Sequence, residues 1–383
     1  MTPTVHILTG EYPPQCGGVG DYTRLVADAL TTGGFAVHVW CPAVTDAVMD
    51  GVILHRLPDV FGQASRQMLE SALTATPGTV LLQYVPNALG ARGANLPFCL
   101  WLRRMRGRGA DVRVMFHEPY FYFSWGHPLG NVLALVQRAM AAVLLRASDI
   151  VYLSTETWVR YLRPLAAPET SMVVSPIPST VQSEADPRDV SRWRARHEGQ
   201  DGDAAVVGHF GTYGDHLARE LVRVVPVILY SHSKARFVCI GQGSDSFVER
   251  LCRKNPSLAR RIDGTGAISH ADIAAALRAC DVVVQPYPDG VTTRRTSVMA
   301  ALANGVPTVT TAGALTEAVW GETGAVALAP ASDARAIGAA VVALLRDPAA
   351  RATLAAAGRR TYDERFAIDR TLEALLAGPP VGA

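Results

Sequence analysis

Short, nearly unbroken apolar runs recur along the first part of the chain: VHIL at 5–8, AVHVW at 36–40, TVLLQYV at 79–85, VRVMF at 112–116 and IVYL at 150–153. Continuous runs, as opposed to alternating ones, mark strands covered on both faces, which is the habit of parallel sheets. Between them lie stretches of helical period such as residues 22–30, so the rhythm is strand, crossover helix, strand. It halts at 183–203, SEADPRDVSRWRARHEGQDGD, whose charges and missing apolar period predict a linker or surface excursion. It then resumes with AAVVGHFG at 204–211, RFVCIG at 236–241, DVVVQPYP at 281–288, VPTVTT at 306–311 and AVALAP at 325–330.

The pattern predicts an α/β protein of two doubly wound, Rossmann-like domains facing across a cleft. The first covers 1–182 and the second 204–360, with a final helix in 361–383 packing back on the first. A length of 383 residues suits two cores better than one. In open parallel sheets ligands gather beyond the carboxyl ends of the strands. The residues expected there include Gly17, Gly18 and Gly20, Gln83 and Tyr84, His117, Gly211, Gly241, the stretch 289–295 and the stretch 310–317.

Composition narrows the field. With 49% hydrophobic and 18% charged residues and a net charge of +2, the chain reads as a packed soluble enzyme with no nucleic-acid partner. Six dispersed cysteines without a CxxC pair predict a reducing cytoplasm, without zinc or disulfides. The most apolar stretch, 132–145, is interrupted by Gln137 and Arg138, and no membrane span or signal peptide is expected.

EYPPQCGGVGDYTRLVADAL, residues 11–30, places three glycines between a strand and a helix. Bare backbone at a helix N-terminus receives phosphate or a sugar hydroxyl; the alternative is a tight turn that needs positive φ. NAD is not expected, because Thr23 stands where the third glycine of GxGxxG belongs and the strand 36–40 ends without an acidic residue. In DGVTTRRTSVMAALANGVP, 289–307, Thr296 or Ser297 can cap a helix that Gly305 closes. Arg294 and Arg295 then precede a helix N-terminus, where cations oppose the dipole unless an anion such as a diphosphate lies between them. The alternative is a solvated pair salt-bridged to Asp289. His117 ends a strand before the aromatic stretch PYFYF, as a structural histidine or a positioning group. Arg103, Arg104, Arg106 and Arg108 either attract an anionic membrane surface or an acidic acceptor, or form the solvated C-terminal end of a helix.

Together these segments, with FHEPY, FVCIGQG, ISHADIAAALRACDVVVQPYPDG and ALANGVPTVTT, resemble retaining glycosyltransferases of the GT-B fold, in the family-four type that uses nucleotide-diphosphate sugars. The resemblance covers nearly the whole chain. It implies that Gly18 and Gly20 abut the donor phosphates or sugar and that His117 lies near the transferred sugar. It implies further that Ala267 and Ile268 hold the base and that Glu317 belongs to the family's proline–glutamate region. On the donor side it is joined by Gly17, Gly211, Gly241, Thr296 and Ser297, and on the acceptor side by Gln83, Tyr84 and Tyr120. Two departures stand out. The family's Glu-x7-Glu pair falls on Thr292 and Ala300, so Asp289 or Ser297 would have to substitute, and no cation lies between Gly208 and His216. Arg294 and Arg295 become the source of charge for the leaving diphosphate, without metal or cofactor, and in the usual front-face scheme a phosphate oxygen takes the acceptor's proton. The expected activity is retaining sugar transfer to a small-molecule or glycoconjugate acceptor. A GT-B sugar-nucleotide epimerase and a non-catalytic sugar-nucleotide binding protein remain as alternatives.

Overall fold

The computed structural model describes residues 2–15, 17–124, 126, 128–181, 184–198 and 202–377. Two compact units share them: Met1–Ile177 with Ile368–Ala383, and Pro178–Ala367.

In the first unit, β1 (Thr4–Leu8), β2 (Ala36–Cys41), β3 (Ala47–Met49), β4 (Val52–Arg56), β5 (Thr79–Tyr84), β6 (Val112–Phe116), β7 (Ile150–Leu153) and β8 (Met172–Val174) form one sheet in the order β3-β4-β2-β1-β5-β6-β7-β8. Only the short β3–β4 pair is antiparallel among the described strands. The helices are α1 (Gly18–Thr32), α2 (Gln63–Ala75), α3 (Leu96–Gly107), α4 (Pro128–Ala147) and α5 (Thr157–Leu162). The period of two sends Ile7, Val37 and Val39 toward α1, and Leu8, Trp40 and Leu82 toward α2 to α5, so each face has its own core.

The second unit holds β9 (Ala205–Phe210), β10 (Ala235–Ile240), β11 (Ile262–Gly264), β12 (Val282–Gln285), β13 (Thr308–Ala312) and β14 (Ala327–Pro330), all parallel, in the order β11-β10-β9-β12-β13-β14. Its helices are α6 (Pro187–His197), α7 (Asp215–Ser231), α8 (Ser244–Lys254), α9 (His270–Arg278), α10 (Thr296–Ala303), α11 (Ala318–Glu322), α12 (Ala334–Arg346) and α13 (Pro348–Arg365). The chain then returns to the first unit as α14 (Ile368–Leu376). Both sheets reverse their winding beside the first strand, between β1 and β5 and between β9 and β12. These two switch points are where crossover helices diverge and leave a crevice at the strand ends.

Three sequence expectations are corrected. The stretch 183–203 is no linker: α6 occupies most of it, capped by Asp186 through the Arg188 N–H, and buries Trp193 against the second unit's core. Val190, Trp193 and His197 form its inward stripe, too sparse to stand out among its arginines, and Arg194 ties it to the Ala204 and Ala279 carbonyls and the Asp281 carboxylate. Ser183 lies outside the described residues, as does Cys16; the other five cysteines are free thiols. The unit boundary falls at 177/178, not after 182, and the return falls at Ile368, not 361, because α13 runs on to Arg365. Leu375 enters the core beside α1, and its carbonyl accepts from the Arg113 guanidinium and the Tyr152 hydroxyl. Leu375→Ala should therefore cost the first unit about 2–3 kcal/mol in urea unfolding while the second unit's transition stays in place. An unchanged first transition would mean that α14 contributes nothing to that core.

Candidate active site

In the second unit, the loops after β9, β10, β12 and β13 pack backbone against backbone. Gly241 has φ 111°, and a Cβ there would meet the Gly211 carbonyl oxygen at 2.5 Å. Gly290, at φ 92°, leans on Gly313 with as little room, so a side chain at either glycine would push two loops apart. The loop after β12 is tied to the β13 side by Val291 N–H to Thr311 O (2.8 Å) and Leu315 N–H to Asp289 O (2.9 Å). The buried Glu317 carboxylate completes the tie: it accepts the Thr293 N–H (2.5 Å) and hydroxyl (2.7 Å), and the Trp320 indole N–H lies 3.4 Å away.

That loop delivers Arg294 and Arg295, both half-buried, to the start of α10. Arg295 itself is the N-cap, which corrects the expected cap at Thr296 or Ser297, and the first turn of α10 contains no acidic residue. The Arg295 guanidinium carbon lies 4.4 Å from the centre of the Tyr287 ring, and its buried Nε has no protein partner. Tyr287 is held through its hydroxyl by Ser297 Oγ (2.6 Å) and Gln285 Oε1 (3.4 Å), and Gln285 Nε2 donates to the Phe210 carbonyl across the switch point (3.0 Å). Asp289 is exposed and forms no salt bridge among the described residues, against the solvated ion pair offered as an alternative. Gly305, at φ 65°, closes the helix as expected.

His209 ends β9 at the same switch point. Its Nδ1 lies 2.9 Å from the Val284 carbonyl, which can only accept, so Nδ1 carries the proton and Nε2 is an unpartnered acceptor beside Gly211. Burial lowers its pKa to about 4, and the ring is neutral near pH 7. Ala267 is exposed and Ile268 is half-buried on the rim of a cavity of about 490 Å³ lined also by Trp193, Arg236 and Asp263. Of the two positions that lack the family's carboxylates, Thr292 buries a hydroxyl without a partner and Ala300 is sealed in the core.

In the first unit, Gly18 and Gly20 are helical residues of α1 and Gly17 is its extended N-cap, so none has the positive φ a tight turn demands. The α1 N-terminus is already served: Glu11 Oε1 accepts the N–H groups of Val19 (2.9 Å) and Gly20 (3.0 Å). A Cβ on Gly17 would strike that carboxylate, one on Gly20 would press the Tyr12 backbone at 3.3 Å, and one on Gly18 would meet nothing. His117 ends β6, buried, with Nε2 2.7 Å from Gln83 Oε1 and its ring edge-on to Tyr22 at 5.0 Å.

The acceptor contacts expected from the sequence are revised. Tyr84 is a fully buried core ring against Phe116, because the strand's period of two turns it under the sheet. Gln83 faces His117, with its buried amide nitrogen unpartnered. Tyr120 donates to the Tyr161 carbonyl and lies under Arg138. Sequence reading passed over Glu11, His209, Gln285 and Tyr287, and met Thr293 only as part of the stretch 289–295. A polar residue closing the otherwise apolar strand VVVQ was the one signal for Gln285.

Residues 204–347, most of the second unit, match the family model described as Glycosyl transferases group 1. The chain as a whole has the GT-B fold of glycosyltransferases. It is similar to sucrose-phosphate synthase from Thermosynechococcus elongatus, with TM-score 0.76 and 16% identity over 98% of this chain and 97% of that one. A glycosyltransferase from Rickettsia africae gives 0.74 and 12% over 98% and 97%. Anabaena HepE, solved with UDP and glucose, gives 0.69 and 15% over 97% and 98%. No curated protein matches the sequence.

Two outcomes test this geometry. Gly18→Ala should leave thermal stability unchanged or raise it by up to about 1 kcal/mol, as for glycine replaced in a helix, whereas Glu11→Ala should cost about 1 kcal/mol by uncovering two N–H groups. A large loss at Gly18 would contradict the open site. For His209, the unfolded ring takes a proton near pH 6.5 and the folded one only near 4, so stability falls as pH drops through that window. His209→Asn, which keeps the N–H donor, should flatten the fall in unfolding free energy measured across it; an identical slope would contradict the burial of a neutral ring.

Proposed function

We propose that the protein transfers a sugar from a nucleotide-diphosphate-sugar donor to an acceptor hydroxyl with retention at the anomeric carbon, the second unit taking the nucleotide and the first the acceptor. The observation that carries the reading is Arg295: a cation at the N-cap of a helix with no acid in its first turn, fixed on the Tyr287 ring and without a carboxylate partner. Helix dipole and guanidinium repel each other until an anion lies between them, and a diphosphate has the charge and the oxygen spacing to do so. The Glycosyl transferases group 1 match, and the UDP and glucose in the HepE structure, support a sugar nucleotide as the anion's source.

On this reading Arg294 and Arg295 stabilise the charge that develops on the leaving diphosphate, as a divalent cation does elsewhere, in a setting that needs no reorganisation when the bond breaks. Glu317 acts on them through the loop it clamps. His117, oriented by Gln83 and Tyr22, positions and polarises and does not attack the sugar. Asp289, exposed at the loop's tip, is free to receive a sugar or ribose hydroxyl where the family's glutamates are missing.

A thermal-shift panel of nucleoside diphosphates identifies the base, and calorimetry then tests the arginine. Arg295→Ala should weaken the preferred diphosphate by about 1.5–3 kcal/mol and leave the matching nucleoside unchanged. Transfer should survive EDTA, and the product should keep the donor's anomeric configuration. Equal diphosphate affinities in variant and parent would remove the arginine from the site, and donor isomerised without acceptor would make the protein an epimerase.

A further inference from the structure

The loop before α4 and the outer face of α4 present an apolar surface that the fold does not cover. Phe121, Tyr122, Phe123, Leu129, Val132 and Leu135 are all exposed, Leu129 at 86%, Val132 at 59% and Leu135 at 57%. Along the helix the outward positions continue through Ala139 to Arg146, so the stripe has helical period. By length and composition α4 could cross a bilayer, and only a third of its most apolar stretch is buried. Its inner face is committed to the sheet through Ala134, Met140, Ala141 and Leu144, so it can lie along a surface but not leave the domain.

The aromatic rings are held outward. Gln137, fully buried, accepts the Phe121 N–H at 2.8 Å. Asn131 exchanges two hydrogen bonds with the Ser124 backbone. The Arg138 guanidinium lies 4.1 Å from the Tyr120 ring and 4.0 Å from the Phe123 ring and donates to the Phe121 carbonyl. Three polar side chains of α4 thus fix a loop whose rings bury little against the protein, and monomeric proteins rarely expose a contiguous apolar patch of this kind without a partner.

Charge selects the partner. α4 has no acidic residue, and α3, packed alongside it, exposes Leu100, Arg103 and Arg104. Arg106 and Arg108 are engaged with Asp149 and Glu70, but Arg103 and Arg104 form no salt bridge. A second copy laid on this face would bring arginines near arginines, whereas aromatic and aliphatic side chains beside unpaired arginines match the boundary between headgroups and acyl chains. We propose that the α3–α4 face docks the protein on an anionic lipid bilayer, with Leu129 and Val132 inserted and Arg103 and Arg104 on the headgroups. The inference stands apart from the sugar-transfer reading.

Co-sedimentation with vesicles tests it, using phosphatidylglycerol and phosphatidylcholine in equal parts against phosphatidylcholine alone. The parent should pellet with the anionic vesicles, and added salt should weaken the binding. Leu129→Asp with Val132→Asp should abolish it, thermal unfolding confirming that the surface change leaves the fold intact. Arg103→Glu with Arg104→Glu should weaken it roughly tenfold or more. A parent that stays in the supernatant with anionic vesicles overturns the proposal, as does binding indifferent to the Leu129 and Val132 changes. A parent dimer in analytical centrifugation that those changes dissolve, without vesicle binding, would give the face to a second copy.

Discussion

A single buried carboxylate sets the geometry of the second unit's switch point. Glu317 receives the amide and the hydroxyl of Thr293, one residue before the arginine pair, and so joins the loop after β12 to the loop after β13. Charge-assisted bonds of this kind are stronger than neutral ones, and a buried carboxylate left without them is costly. The bare backbones of Gly290 and Gly313 allow the two loops to meet. With the loop fixed, Arg295 has one place to go, over Tyr287, and Tyr287 is in turn held from Gln285 and Ser297. Both oxygens of the glutamate that the resemblance placed on the donor side thus accept from Thr293.

The two units wind alike but use their helix N-termini in opposite ways. In the first, Glu11 neutralises the start of α1, and the glycines there serve close packing at Gly17 and Gly20 and open space at Gly18. An anion drawn to that terminus would meet a carboxylate. In the second, Arg295 is the N-cap of α10 and the first turn holds no acidic residue, so a cation stands where the dipole is already positive. This asymmetry favours the second unit as the diphosphate side.

Apart from the half-exposed edge strand β14, the strands that sequence pattern predicts are those buried on both faces. The missed ones, β3, β4, β8 and β11, are short, or, like VILHR in β4, pass quickly from apolar to charged residues. At the candidate site, conspicuous charge was legible: Arg294 and Arg295 stood out because a cation before a helix conflicts with the dipole. Glu11, Thr293 and Tyr287 were not, because their importance comes from contacts with residues far along the chain or hidden by a turn. Tyr84 misled for the opposite reason: its position beside the strand end was right, but the pleat turned its ring into the core.

The most direct test of the account is an experimental structure with the preferred nucleoside diphosphate bound. The diphosphate oxygens should lie within hydrogen-bonding distance of the Arg295 guanidinium at the start of α10, with the Glu317–Thr293 clamp intact. A diphosphate seated on the α1 N-terminus with Glu11 displaced, and out of reach of Arg295, would contradict it.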